Sequence, residues 1–249
     1  MSGEVNIPTC NIMGVNVAAI NMDILIGIIS EKYRDLSGKY ICVANVHTTV
    51  MASENEYYRK IQNESYMVIP DGGPLSSYGR KKGFKKMRRT FGPDFMEETI
   101  KRVEGARHFF YGSTNEILEK MQSNFRAKYP TVNIVGAYSP PFRELTKKED
   151  SEIIELINKK HPDFVWVGLG APKQEIWMYE HQNEIEGLMV GIGAGFAYHA
   201  GVLKRAPVWM QKRNLEWLYR LIQEPKRLFK RYYVTNIKFL KYILFQRVK

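Results

Sequence analysis

The sequence predicts an α/β fold: a mostly parallel sheet with helices on its faces, followed by a basic amphipathic helical appendage. Three observations predict it. Short apolar runs alternate with amphipathic stretches, the pattern of strand–helix–strand units. Each run ends at Gly, Pro, Asp or Asn, where a strand would give way to a loop. The formal net charge of +11 resides in the segment from Lys204 onward, where thirteen Lys or Arg stand against Glu216 and Glu224.

Six apolar runs are expected to be strands: Tyr40 to Ala44, Tyr66 to Pro70, His108 to Tyr111, Val132 to Val135, Phe164 to Val167 and Leu188 to Ile192. Between them, Thr114 to Tyr129 carries Ile117, Leu118, Met121 and Phe125 at helical spacing, with Ser113 or Thr114 as N-cap. A second helix is expected from Thr146, where Glu149 three residues later completes a capping box before Ile153, Ile154 and Ile157. From Leu215 to Phe245 the chain reads as helices interrupted at Pro225, with one apolar side of Trp217, Leu218, Leu221 and Leu228. A second apolar block spans Phe239 to Phe245. A basic amphipathic helix rich in aromatics suits a headgroup interface, and a helix pair packed on the sheet would show the same pattern. Residues 1–203 are assigned to the core and 204–249 to the appendage.

The bulk numbers bound the function. With 44% hydrophobic and 25% charged residues the chain can bury a core. Cys10 and Cys42 offer neither a disulfide framework nor metal spacing. The start MSGEVNIPTC lacks the basic and apolar regions of a signal peptide. No run approaches the roughly 20 apolar residues that span a bilayer, so a soluble or peripheral protein is expected. The basic tail calls for an anionic partner: lipid headgroups, substrate phosphates or nucleic acid.

Several motifs fall after apolar runs, where ligands bind in open α/β sheets. Asn45 and His47 lie in the loop after the first run, and Asp71-Gly72-Gly73 follows the second. A carboxylate at a strand end can take a proton from a hydroxyl, and Asp-Gly is equally a common turn pair. Gly168-Leu169-Gly170-Ala171-Pro172-Lys173-Gln174-Glu175 opens a helix, where backbone N–H groups and Lys173 could meet phosphate. Gly191-Ile192-Gly193-Ala194 and Gly112-Ser113 are further glycine loops. The Gly168-Leu169-Gly170 loop resembles a dinucleotide loop but lacks the third glycine of the fingerprint. Of the histidines, His47 and His199 are expected near the cleft, and His108, His161 and His181 at the surface or a strand edge. No Asp-x-Asp motif is present, which makes cationic side chains the expected partners of a leaving diphosphate.

Taken in order, Asn45, Pro70-Asp71-Gly72, Arg89 before Gly92-Pro93-Asp94, Gly168 to Glu175, Gly191 to Ala194, Arg205-Ala206-Pro207, Leu215-Glu216-Trp217 and Glu224-Pro225-Lys226-Arg227 resemble the WecG/TagA/CpsF glycosyltransferases. The resemblance covers the chain from about Asn11 to Tyr232. It implies a Rossmann-like core and an inverting, metal- and cofactor-independent transfer from a UDP-sugar, of N-acetylmannosamine or another hexose. The implied acceptor is a polyprenyl-diphosphate-linked saccharide of cell-surface polymer synthesis, met at the inner face of the membrane. It also implies Asp71 as base and Arg89 as active-site arginine. Asn45, His47, Gly72, Gly112, Gly170, Lys173, Gln174, Glu175 and Gly193 are expected to hold substrate, joined by Arg220, Arg227 and Arg231 from the tail. Homo-oligomerisation stays open.

Three positions depart from the family's pattern: Val43 replaces a Thr of the teichoic-acid members, Ala197 an Asp, and Asn214 a Gly. A catalytically inactive member serving as a scaffold is the alternative these changes suggest. A nucleic-acid-binding protein would need a recognised motif, and a nicotinamide oxidoreductase a full fingerprint; the sequence has neither.

Overall fold

The computed structural model describes residues 7–245; the opening stretch MSGEVN and the closing residues 246–249 lie outside it. Eight strands form one sheet: β1 (Thr9–Ile12), β2 (Val15–Ala18), β3 (Tyr40–Ala44), β4 (Met67–Pro70), β5 (Arg107–Gly112), β6 (Asn133–Tyr138), β7 (Phe164–Gly168) and β8 (Leu188–Gly191). Their order is β1-β2-β4-β3-β8-β7-β5-β6. All neighbouring pairs are parallel except β1 with β2. The six expected runs are β3 to β8, within two residues at most ends. The β1–β2 hairpin is an addition: Cys10, Ile12, Val15 and Val17 are buried while Asn11 and Asn16 face out.

Helices fill the connections. On the first half lie α1 (Met22–Lys32), α2 (Val46–Glu54), α3 (Glu56–Glu64), α4 (Gly73–Lys81) and α5 (Gly92–Arg102). Then come α6 (Asn115–Lys128), α7 (Lys147–Asn158), α8 (Lys173–Glu180) and α9 (Gly195–His199). Thr114 caps α6 through Ile117 N, and Thr146 with Glu149 forms the capping box of α7, both as the sequence predicts. The tail is α10 (Val208–Lys212), α11 (Glu216–Gln223) and α12 (Pro225–Phe245), divided at Pro225.

The parallel strands β3, β4, β5, β7 and β8 are buried on both faces, so alternate residues feed two cores. In β7, Phe164 and Trp166 join one core and Val165 and Val167 the other. The tail docks on the second. Phe239 is buried there with Tyr242 and Ile243 against it, and Lys238 pairs with Glu54 of α2. The Phe239-to-Phe245 block therefore splits: Leu240, Leu244 and Phe245 stay exposed.

Two histidines correct the expectation of surface positions. His108 is interior, stacked on Phe164 and accepting from Trp166 Nε1 at 3.2 Å. Burial pushes its pKa down to about 3, so it packs as a neutral ring. His181 is buried between Trp177 and Asp150, with its Nε2 2.8 Å from Asp150 Oδ2. Only His161 of the three is exposed, beside Glu186.

Candidate active site

Because β3, β4, β7 and β8 are parallel neighbours, their carboxyl ends meet on one rim, and the loops after them wall a cavity of about 790 Å³. The rim contributes Asn45, His47, Asp71, Gly72, Gly170, Gln174 and Gly193. The tail closes the other side with Glu216, Trp217, Arg220, Arg227, Arg231 and Tyr232. Arg89 also lines it, from the connection between α4 and α5.

Asp71 is held from three sides. Its N–H donates to Ala44 O at the end of β3 (2.8 Å), and its own carbonyl accepts from Arg89 Nε (2.7 Å). Its carboxylate Oδ1 accepts from Gly92 N at 3.2 Å, the first residue of α5, where the helix end favours negative charge. Burial pushes the Asp71 carboxyl above the ordinary range, and Arg89, Gly92 and Arg220 pull back without cancelling the rise. A carboxylate so placed is a stronger base than an exposed one.

Arg89 links Asp71, through its backbone carbonyl, to the tail. Its Nη1 pairs with Glu216 Oε2, and its guanidinium lies 4.2 Å from the Phe91 ring centre. Burial alone would lower its pKa, but the Asp71 and Glu216 carboxylates outweigh that and raise it. Glu216 is buried, and its Oε1 has no hydrogen-bond partner. No substrate role follows for Glu216 from its place in the Leu215-Glu216-Trp217 motif; the available signal was an acid in an otherwise cationic segment.

The tail cations form a separate group. Arg220 lies 5.5 Å from the Tyr198 ring centre and bonds Glu224 at 3.0 Å, while Arg227 bonds the same carboxylate at 2.6 Å. Burial, then the nearby Arg227 and Arg220, lowers the pKa of Arg231. The Nε–H groups of Arg220 and Arg231 are buried without a partner. Leaving such a donor unpaired costs about 1–3 kcal/mol, which an anion in the cavity would recover. His47 sits beside Arg231, and burial followed by that charge lowers its pKa to about 4, so the ring is neutral at pH 7.

Asn45 is part of the wall and part of its support. Its Oδ1 caps α2 by accepting from His47 N and Thr48 N, and Thr48 Oγ1 accepts from Asn45 N in return. Its side-chain amide nitrogen is the group left to meet a ligand.

Four expected residues lie elsewhere. Lys173 is exposed and outside the lining, and Glu175 is 1% exposed beneath it. Gly112 packs against Gly168, where a Cβ would come within 2.7 Å of backbone carbon, and does not line the cavity. His199 is corrected from the cleft: its Nε2 meets Pro93 O at 3.0 Å and its ring packs on Phe125. The Gly170 and Gly193 N–H groups point at Gln174 Oε1 (3.1 and 2.9 Å). They are thus already satisfied and are not free to meet a phosphate. Tyr198, Phe91 and Asn214 are lining residues to which no ligand role was assigned from sequence. Among the described residues no group of three or more His, Cys, Asp or Glu could hold a metal ion, and no helix is long and apolar enough to cross a membrane.

Comparison with known proteins bears on this site. The model of the glycosyl transferase WecG/TagA/CpsF family matches residues 10–249. N-acetylglucosaminyldiphosphoundecaprenol N-acetyl-beta-D-mannosaminyltransferases of Staphylococcus aureus strains MW2, NCTC 8325 / PS 47 and MRSA252 are similar. Each is 31% identical over 192 residues, covering 76% of this chain and 74% of the relative. With a family match over nearly the whole length and relatives of this similarity, the chain belongs to the WecG/TagA/CpsF family and is a glycosyltransferase.

Proposed function

We propose that this glycosyltransferase moves a sugar of the N-acetylmannosamine type from a UDP-sugar to a saccharide linked to polyprenyl diphosphate, with inversion at the anomeric carbon and without a metal ion. The relatives' names give an N-acetylmannosaminyl group and an N-acetylglucosaminyl-diphosphoundecaprenol acceptor, and they supply the substrate class here. The observation that carries the chemistry is Asp71, a half-buried carboxylate of raised pKa at the rim, lining one cavity with Arg89, Arg220, Arg227 and Arg231.

In this reading Asp71 takes the proton of the acceptor hydroxyl while the oxygen attacks the anomeric carbon from the face opposite the nucleotide. The bond from that carbon to the diphosphate oxygen breaks, and the electron pair leaves with UDP. Arg89, Arg220, Arg227 and Arg231 take up the developing charge; Asn45, His47 and Gln174 line the space for the sugars. The departures at Val43 and Ala197 leave this arrangement in place: Val43 lines the cavity, and Ala197 does not.

A general base contributes about 10²–10⁴-fold to such a step. Asp71→Asn is expected to lose at least about a hundredfold in turnover while still binding UDP, read by product formation on a lipid-linked acceptor beside calorimetric titration. Wild-type turnover in that variant removes Asp71 from the mechanism, and UDP release by the wild-type protein separates an enzyme from a scaffold. A chelator should leave the rate unchanged; a loss restored by a divalent cation would overturn metal independence.

A further inference from the structure

Gln174 does an unusual job for a side chain at a pocket wall. Its single carbonyl oxygen accepts from Gly170 N at 3.1 Å and Gly193 N at 2.9 Å, joining the loops that follow β7 and β8. Both glycines have positive φ, +82° and +53°, so neither loop conformation suits another residue well. The joint works in one orientation of the amide only. Rotated by half a turn, Gln174 would aim its own N–H groups at two N–H groups, and both loops would lose their acceptor.

What fixes the orientation is Glu175. Its Oε1 accepts from Gln174 Nε2 at 2.8 Å. Glu175 is 1% exposed and lies under the cavity rather than in its wall. Its second oxygen closes no well-formed hydrogen bond, although the Tyr58 hydroxyl lies close enough to lower the Glu175 pKa, and Gln62 Oε1 beside them is also without a well-formed partner. The same layer reaches the third loop: Gln62 Nε2 donates to Thr48 O at 3.4 Å, and Thr48 closes the cap on Asn45. A buried carboxylate with an unsatisfied oxygen is a poor way to stabilise a fold, since an apolar side chain of similar size is commonly as good or better.

We propose that Glu175 is a positioning residue of this transferase: it locks the Gln174 amide so that the Gly170 and Gly193 loops stand together as the wall against which the nucleotide sugar is held. The donor-binding part rests on the proposed transferase reading; the locking of the loops does not.

Three variants test it. Glu175→Gln keeps a carbonyl acceptor in reach of Gln174 and should bind UDP within about twofold of wild type. Glu175→Leu removes the acceptor. It should keep or raise the melting temperature yet weaken UDP binding about tenfold, the scale of one lost charge-assisted hydrogen bond, with the donor KM rising more than kcat falls. Glu175→Asp keeps the charge, withdraws the oxygen and should lose affinity in the same direction, which covers a Leu variant that fails to fold. Amide hydrogen exchange at Gly170 and Gly193 should quicken in Glu175→Leu and Glu175→Asp but stay slow in Glu175→Gln. That readout needs no nucleotide, so it decides the locking even if UDP is not the donor. The proposal is overturned if exchange at both glycines is unchanged in folded Leu and Asp variants, or if the Gln variant loses as much as they do.

Discussion

One guanidinium, that of Arg89, holds both the backbone carbonyl of Asp71 and the carboxylate of Glu216, and the latter arrives from the tail. Removing one partner of a buried pair leaves the other uncompensated and typically costs about 3–5 kcal/mol. Glu216→Ala should therefore lower the melting temperature and reduce transfer at least about tenfold by releasing Arg89. A double-mutant cycle with Arg89→Ala should give a coupling above about 1 kcal/mol; additive losses would mean that the contact is incidental. At Glu175 the relevant quantity is pH. Burial raises this carboxyl to about 7 from 4.5, with Gln174, its own backbone N–H and Tyr58 pulling back, and Cys42 is the other titratable neighbour. The folded protein then binds a proton that the unfolded chain has released. Stability must fall as pH rises from about 4.5 to about 7, by an amount on the order of 3 kcal/mol from this group. Denaturant midpoints across that window should decline less steeply in Glu175→Gln. Residue identities at the rim were readable because each follows a short apolar run. The partners of Asp71 and Arg89 were not, since a contact between residues 89 and 216 leaves no trace in local periodicity.

The helix α12 shows two faces. Leu228, Thr235 and Phe239 are buried, while Phe229, Tyr233, Ile237, Leu240 and Leu244 follow one another at helical spacing on the exposed side among Lys230, Lys238 and Lys241. The sequence left two readings of this segment open, packing or an interface with lipid; the buried face packs, and we propose that the exposed face meets lipid. Replacing Phe229, Leu244 and Phe245 with Ser should spare the fold, because their side chains are exposed and lie outside the cavity lining, and should release the protein from anionic vesicles in sedimentation. Retained binding would assign the membrane contact elsewhere. Capping signals were the most legible part of the elements: Thr146 and Glu149 close the box they predict. The β1–β2 hairpin was missed although its residues alternate. Its strands are four residues each, and its turn places Met13, with φ of +54°, where Asn or Asp would advertise a tight turn. The family's Gly before Leu215 finds a similar explanation. Asn214 adopts φ of +59°, a conformation Asn tolerates better than most residues, and its side chain rests against Gly73, where any Cβ would collide with it.

Across the whole molecule, one end of the sheet and the tail build the cavity jointly, and neither encloses it alone. The charge imbalance pointed to an anionic partner for the tail, but its return over α2 depends on Phe239, Tyr242 and the Lys238–Glu54 pair reaching a core and a helix that lie far earlier in the chain. Vesicle binding should weaken as salt is raised, because part of the attraction is screened over about 10 Å at 0.1 M, while UDP binding inside the cavity should respond less. Equal sensitivity of both would place the nucleotide at the surface. The two-faced helix has a kinetic consequence. A catalyst that rests on the bilayer with its cavity beside the resting face meets its acceptor by diffusion in two dimensions. Its velocity should then follow the mole fraction of acceptor within the film, and inert lipid added at constant total acceptor should slow it by dilution alone.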